Sequence, residues 1–229
     1  MKKTIFVLVL MCFSIPTFAQ ITDKPKIAFC ETGKGCVFYD HPFSYKQLDV
    51  MFNYMGIFRE KKGILTFLVN NQGERVNYPD TKRNAKELHE YFGGKGEPQI
   101  KPWTMTMFQS IQPEDGSWVV KNEKPQTSKC PKGVNEQLEK LQLIKSGNKT
   151  FGKPFSPVEL LPAKEAHWFS VGPDLYKGLI MVSNSDSITT VYDVKVNTPK
   201  SIDGTMNYTI KIPGLSACRI KIDFKYTKN

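Results

Sequence analysis

The sequence contains few of the residues, and none of the motifs, that usually mark a specific chemistry. It has three histidines in 229 residues, no G-x-S-x-G nucleophile motif, no G-x-x-x-x-G-K-[ST] phosphate loop and no C-x-x-C pair. His89-Glu90 begins like the zinc motif H-E-x-x-H, but Gly93 stands where the second histidine is required. These absences exclude a serine-hydrolase elbow, a phosphate loop and a thioredoxin-like redox pair. We predict no metal and no cofactor.

Arginine is also scarce, although the chain is basic. The formal net charge is +10, and only four of the 32 cationic side chains are arginines. The lysines are scattered, and they lack the planar fork with which arginine recognises bases and phosphates. We therefore expect no nucleic-acid partner. A basic chain still attracts anions, so we expect an apolar or anionic ligand, such as a lipid or a glycan, or a protein partner.

Residues 1–19 have the pattern of a cleavable export signal. Two lysines precede an apolar run from Ile5 to Phe13, and Thr17 and Ala19 are small residues at the two positions that a signal peptidase reads. The run is shorter than the roughly 20 residues that span a bilayer. No second long apolar run follows. We expect export to the periplasm or the cell exterior, with no transmembrane span.

Four cysteines follow the predicted signal, and in an exported chain they indicate two disulfides with three possible pairings. Two short apolar segments, 27–30 and 36–39, flank a glycine-bearing loop and predict a β-hairpin. Such a hairpin brings Cys30 opposite Cys36. We therefore favour the pairs Cys30–Cys36 and Cys130–Cys218.

The remaining pattern predicts an α+β fold with mainly antiparallel sheet, about three short helices and a β-rich C-terminal part. A capping box, Ser44 to Gln47, begins the first helix, Asp80 or Thr81 caps the second, and residues 134–144 form the third. Residues 102–124 read as a hairpin. Strands are expected at 64–69, 74–78, 179–182, 189–196, 208–212 and 218–226, the last with the cleanest alternation. We divide the chain into parts 20–125 and 126–229, which either form separate units or share one core.

Methionine and aromatic residues are concentrated within the predicted hairpin. Trp103, Met105, Met107 and Trp118 are our candidates for lining an apolar ligand cavity. Packing of an ordinary core explains the same residues equally well.

Glu165 and His167 are the candidates for catalysis, because they share a face if their segment is extended. Asp40 and His41 are neighbours in sequence, but adjacent residues of a strand point to opposite faces. The first functional hypothesis is a non-enzymatic exported protein that binds a ligand or a partner. The alternatives are a hydrolase that uses Glu165 and His167, or a secreted factor directed at a host or at the cell envelope.

Overall fold

The computed structural model describes residues 24–69, 75–132, 144–161, 165–182, 187–211, 213–214 and 216–229. In chain order the strands are β1 (Lys26–Glu31), β2 (Gly35–Asp40), β3 (Ile64–Val69), β4 (Arg75–Asp80), β5 (Gln99–Pro102), β6 (Gly116–Asn122), β7 (Gln126–Ser128), β8 (Gly147–Lys149), β9 (His167–Gly172), β10 (Leu175–Met181), β11 (Ile188–Thr198), β12 (Ser201–Ile210) and β13 (Cys218–Lys228). The helices of the described residues are α1 (Tyr45–Phe52), α2 (Ile57–Lys61) and α3 (Ala85–Tyr91), with a 3-10 turn at Pro157–Glu159. The predicted α+β class, with mainly antiparallel sheet, is confirmed.

The first part of the chain builds a small sheet of five strands in the order β4-β3-β1-β2-β5. β1 and β2 form the predicted hairpin, while β3 and β5 run parallel to β1 and β2 respectively. Ala28 and Phe38 point to one face of this sheet, where they are buried against Leu88 and Phe92 around α3. β4 is one of the two edge strands, which is why it tolerates Pro79.

The second part builds a larger antiparallel sheet in the order β8-β6-β13-β12-β11-β10-β9, with β7 paired to β13 beside β6. The alternation predicted for β13 is confirmed: Ile220, Ile222 and Tyr226 are buried, whereas Arg219 and Lys225 are exposed. We call the face that these buried residues share the Trp118 face, because it also carries the fully buried Trp118 of β6.

The opposite face of the large sheet carries Phe169, Leu179 and Val191, which pack against α1 and the small sheet. We call it the α1 face. Leu48 of α1 and Leu65 of β3 are completely buried in the same cluster. Residues of both predicted parts therefore share this cluster, and β6 and β7, on either side of residue 125, both pair with β13. The proposed boundary itself stays a prediction.

Both predicted disulfides are confirmed. Cys30 and Cys36 face each other across the β1–β2 hairpin, and Cys130 joins the segment after β7 to Cys218, the first residue of β13.

Two local predictions were wrong, and a third concerns residues that lie almost entirely outside the described part of the chain. Residues 102–124 do not form a hairpin: β5 ends at Pro102, residues 105–108 form a turn, and the next strand begins at Gly116. The second predicted helix is α3, and its N-cap is Asn84 rather than Asp80 or Thr81. Asn84 exchanges both capping-box hydrogen bonds with Glu87. The helix predicted at 134–144 lies, except for its last residue, outside the described residues.

A buried carboxylate explains why residues 103–115 form a loop. Asp174, in the β9–β10 turn, accepts hydrogen bonds from the backbone N–H of Ser110 at 2.9 Å and of Ile111 at 2.8 Å, and from the Ser110 hydroxyl. Asp174 N–H donates to the carbonyl oxygen of Phe108 at 3.2 Å. These bonds satisfy backbone groups that a hairpin would otherwise pair.

Replacing Asp174 should release this loop. Asp174→Ala is expected to lower the free energy of unfolding by about 3 kcal/mol, because it leaves several donors without an acceptor. Asp174→Asn should cost about 1 kcal/mol, because it keeps one acceptor and tolerates the left-handed backbone, φ 54°. Urea unfolding measures both, with the exposed Glu97→Ala as the control. Equal losses in the two Asp174 variants would contradict this assignment.

The two disulfides should stabilise the chain unequally. In the chain-entropy model, closing the long loop between Cys130 and Cys218, 88 residues apart, contributes about 4.5 kcal/mol, whereas the short Cys30–Cys36 loop contributes about 2.5 kcal/mol. We expect the Cys130→Ala/Cys218→Ala variant to unfold at clearly lower urea concentration than Cys30→Ala/Cys36→Ala. The reverse order would show that loop length does not govern their effect.

Candidate functional site

A cleft of about 620 Å³ lies between the α1–α2 segment and the α1 face of the large sheet. This volume is in the range of sites for small molecules, roughly 300–1,000 Å³. Val191 of β11 is covered by α1, but the neighbouring strands continue with the polar residues Asn207, Thr209 and Arg219 on the same face. Burying these polar side chains under α1 would cost free energy unless α1 supplied hydrogen-bond partners for them. The cleft, which we call the α1 cleft, opens at this change from apolar to polar surface.

The turn between α1 and α2 forms one wall of the α1 cleft and has an unusual backbone. Asn53, Met55 and Gly56 have φ values of 55°, 54° and 93°. Glycine adopts this conformation freely, but a methionine held there costs about 1–2 kcal/mol. Met55 is also 86% exposed, and it lines the cleft. A strained turn with an exposed apolar side chain is typical of a binding wall.

Asp49 of α1 fixes this turn from beneath. Its Oδ1 atom accepts a hydrogen bond from the backbone N–H of Phe58 at 3.0 Å, and its backbone oxygen accepts from Tyr54 N–H. The side chain is only 4% exposed. Its Oδ2 atom lies 4.0 Å from Nε of Arg59 and has no hydrogen-bond partner among the described residues. The Oδ2 atom is itself buried, so the role of Asp49 in the cleft wall is to hold the backbone of the turn.

The opposite wall is the polar half of the α1 face. Lys177 forms an ion pair with Asp193, its partner across β10 and β11, and its Nζ lies 5.3 Å from the centre of the Phe52 ring. Thr189, Asn207 and Thr209 add hydroxyl and amide groups, and Lys211 and Arg219 add cations. The lining contains four cations, which are Arg59, Lys177, Lys211 and Arg219, and two carboxylates, which are Asp49 and Asp193. The α1 cleft is therefore a polar site with an excess of positive charge.

The apolar candidates from the sequence lie in different clusters. Trp103 is half-buried and stacks on Phe169, with ring centres 5.6 Å apart. Met105 and Met107 belong to the turn at 105–108, and Met105 packs on the Trp118 face. Trp118 is completely buried there, and its Nε1 donates to the carbonyl oxygen of Glu114 at 3.0 Å. None of the four lines the α1 cleft.

The catalytic candidates lie on the surface. Glu165 and His167 are both exposed, and His167 begins β9. The His167 ring lies edge-on to Phe43, with ring centres 6.0 Å apart. In the part of the chain that the structure describes, neither side chain makes a hydrogen bond or an ion pair, and neither lines the α1 cleft. The hydrolase hypothesis thus stays a prediction, because among the described residues no side chain is hydrogen-bonded to Glu165 or His167.

His41, for which no role was predicted, is buried. Its Nδ1 atom accepts a hydrogen bond from the backbone N–H of Phe43 at 3.0 Å, so the proton of the neutral ring is assigned to Nε2. Phe43, Trp103 and Phe169 surround the ring, with centres 4.5, 4.9 and 4.6 Å away. Burial lowers the pKa of His41 to about 3, and the charge of Lys24 acts in the same direction. His41 is a neutral core residue.

The chain matches no family model, and neither a curated protein nor a solved structure is significantly similar to it. Within the described residues, no helix is long and apolar enough to cross a membrane. No three His, Cys, Asp or Glu side chains of these residues are grouped so as to hold a metal ion. Any function must therefore be argued from local geometry, in which the α1 cleft is the candidate site.

Burial of neutral His41 should make the fold sensitive to acid. Below the unfolded pKa of about 6.5, the unfolded chain binds a proton that the folded chain excludes, so stability falls by about 1.4 kcal/mol per pH unit towards the folded pKa. We expect His41→Gln to lose less stability than the wild type between about pH 7 and about pH 4.5. The exposed His167→Gln variant should behave as the wild type does. Urea unfolding at both pH values measures this, and parallel losses in all three proteins would refute it.

Proposed function

We propose that the chain is an exported, non-enzymatic binding protein and that the α1 cleft holds an acidic saccharide. The observation that carries the proposal is the composition of the cleft: four cations against two carboxylates, beside threonine and asparagine side chains, in a space of about 620 Å³. A saccharide with carboxylate groups offers negative charge and many hydroxyls together. Both features match this lining.

The distribution of charge supports an anionic ligand. Asp193 pairs with Lys177, and Asp49 lies near Arg59, so both carboxylates of the cleft are associated with a cation. Lys211 and Arg219 add two cations on the far wall of the cleft. A ligand carboxylate placed there gains charge-assisted hydrogen bonds, which are stronger than neutral ones.

The neutral groups of the cleft support a ligand rich in hydroxyls. Asn207, Thr189 and Thr209 can each donate and accept hydrogen bonds. On the α1 side of the cleft, Asp49 holds the turn through its Oδ1 atom, and its Oδ2 atom is buried. Phe52 offers apolar surface on the same side. This mixture is typical of a site that orients a small polar molecule.

The predicted signal and the two disulfides support a location outside the cytoplasm, because disulfides persist in oxidising compartments. The alternative, a secreted factor directed at a host or at the cell envelope, is consistent with the same location. No specific contact favours it over a small ligand.

The proposal is tested by calorimetric titration with di- and trisaccharides of galacturonic and glucuronic acid, against the neutral galactose and glucose oligomers. We expect binding of an acidic oligomer, weakened roughly tenfold or more in Lys211→Ala/Arg219→Ala, because two charged hydrogen bonds are lost. As a matched control, Lys121→Ala/Lys124→Ala removes two cations outside the cleft. Equal binding of neutral oligomers, or no binding of any acidic oligomer, would refute the proposal.

A further inference from the structure

A second concavity, of about 420 Å³, shares no lining residue with the α1 cleft. It lies where the start of β1, the end of α2 and the loop between β4 and α3 meet. Lys24 and Lys26 come from the first of these segments, Lys62 from the second, and Lys82 and Arg83 from the third. We call it the basic concavity. Five cations therefore surround a space with one acidic residue, Asp80.

Asp80 does not neutralise the lysines. Its Oδ1 atom accepts hydrogen bonds from the backbone N–H of Lys82 and of Arg83, both at 3.0 Å, and its Oδ2 atom accepts from Nη1 of Arg83 at 2.7 Å. Burial opposes ionisation of Asp80, but these hydrogen bonds hold its pKa below the ordinary value. Arg83 is engaged in turn, since its guanidinium lies 3.7 Å from the centre of the Tyr91 ring. Asp80 is thus bound to Arg83 and to the loop backbone, and it does not neutralise Lys24, Lys26 or Lys82.

The fold holds these lysines together by a close contact between backbones. Gly63 follows Lys62, and a Cβ atom at Gly63 would lie 2.2 Å from the backbone oxygen of Asp80. Only glycine permits this approach, which keeps Lys62 beside the loop that carries Lys82. Lys26, on β1, is fixed by the register of the small sheet. In the part of the chain that the structure describes, Lys24, Lys26 and Lys82 form no ion pair. Cations that line one concavity repel one another, and a bound anion relieves the repulsion.

We propose that the basic concavity binds a phosphate monoester group. Such a group carries a charge of about −1.5 to −2 at neutral pH, which suits several lysines better than a carboxylate of charge −1 does. Lysine binds phosphate as a point charge and needs no bidentate alignment. The volume leaves room for the phosphate together with part of the group that it esterifies. This proposal is independent of the α1 cleft.

The test measures the affinity of the full-length exported protein for glycerol 3-phosphate and inorganic phosphate by calorimetry, with glycerol and sodium sulfate as reference ligands. We expect glycerol 3-phosphate to bind with a Kd of about 1 mM or below. Lys26→Gln/Lys82→Gln should weaken it roughly tenfold or more, since two charged contacts are lost. The matched variant Lys121→Gln/Lys124→Gln also removes two positive charges and should leave the affinity within about twofold. Equal weakening in both variants would show that net charge alone acts and would overturn the proposal.

A second arm distinguishes a soluble ester from a lipid headgroup. Co-sedimentation compares vesicles of phosphatidylcholine that contain either phosphatidic acid, a phosphate monoester, or phosphatidylserine, a diester. Binding that is stronger to phosphatidic acid, and lost in Lys26→Gln/Lys82→Gln, assigns the group to a lipid. Binding of glycerol 3-phosphate without vesicle binding assigns it to a soluble ester. Equal binding to both lipids, or no binding in either arm, overturns the proposal.

Discussion

The rest of the structure depends on a patch of apolar side chains on the α1 face of the large sheet. Phe169, Leu179 and Val191 are buried there against Leu48 and the small sheet. The patch occupies only part of that face, because β12 and β13 carry polar residues at the corresponding positions. The apolar part joins the two sheets, and its limit determines where α1 stops covering the large sheet. The limited size of the apolar patch therefore explains both the packing of the two sheets against each other and the position of the α1 cleft.

Three buried aspartates organise the loops around this framework in the same way. Asp49, Asp80 and Asp174 are each less than a tenth exposed, and each accepts hydrogen bonds from backbone N–H groups that no strand or helix pairs. A carboxylate can satisfy several donors at once, so each acts as a local replacement for regular structure. Asp49 supports the wall of the α1 cleft, and Asp80 supports the basic concavity. A buried carboxylate therefore fixes backbone at each candidate site.

The sequence predicted correctly those features that depend on residues close together in the chain. The alternation in β13, the capping box at Ser44 and the hairpin that pairs Cys30 with Cys36 were all read from residues close together in the chain. The loop at 103–115 was missed because Asp174, which holds Ser110, lies 64 residues further on. The α1 cleft could not be foreseen for the same reason. Its two walls come from distant segments, and alternating polar residues such as Asn207 resemble any solvated strand.

The small sheet separates α1 from α3. Ile27 and Ala28 are neighbours in β1, yet Ile27 packs in the cluster with α1 and Ala28 in the cluster with α3. The sheet therefore acts as a partition one strand layer thick, with α1 on one side and α3 on the other. Because the α1 cleft and the basic concavity share no lining residue, neither occupant obstructs the other. An anion bound at each of the two proposed sites would make the chain a bivalent link between the molecules that carry the anions.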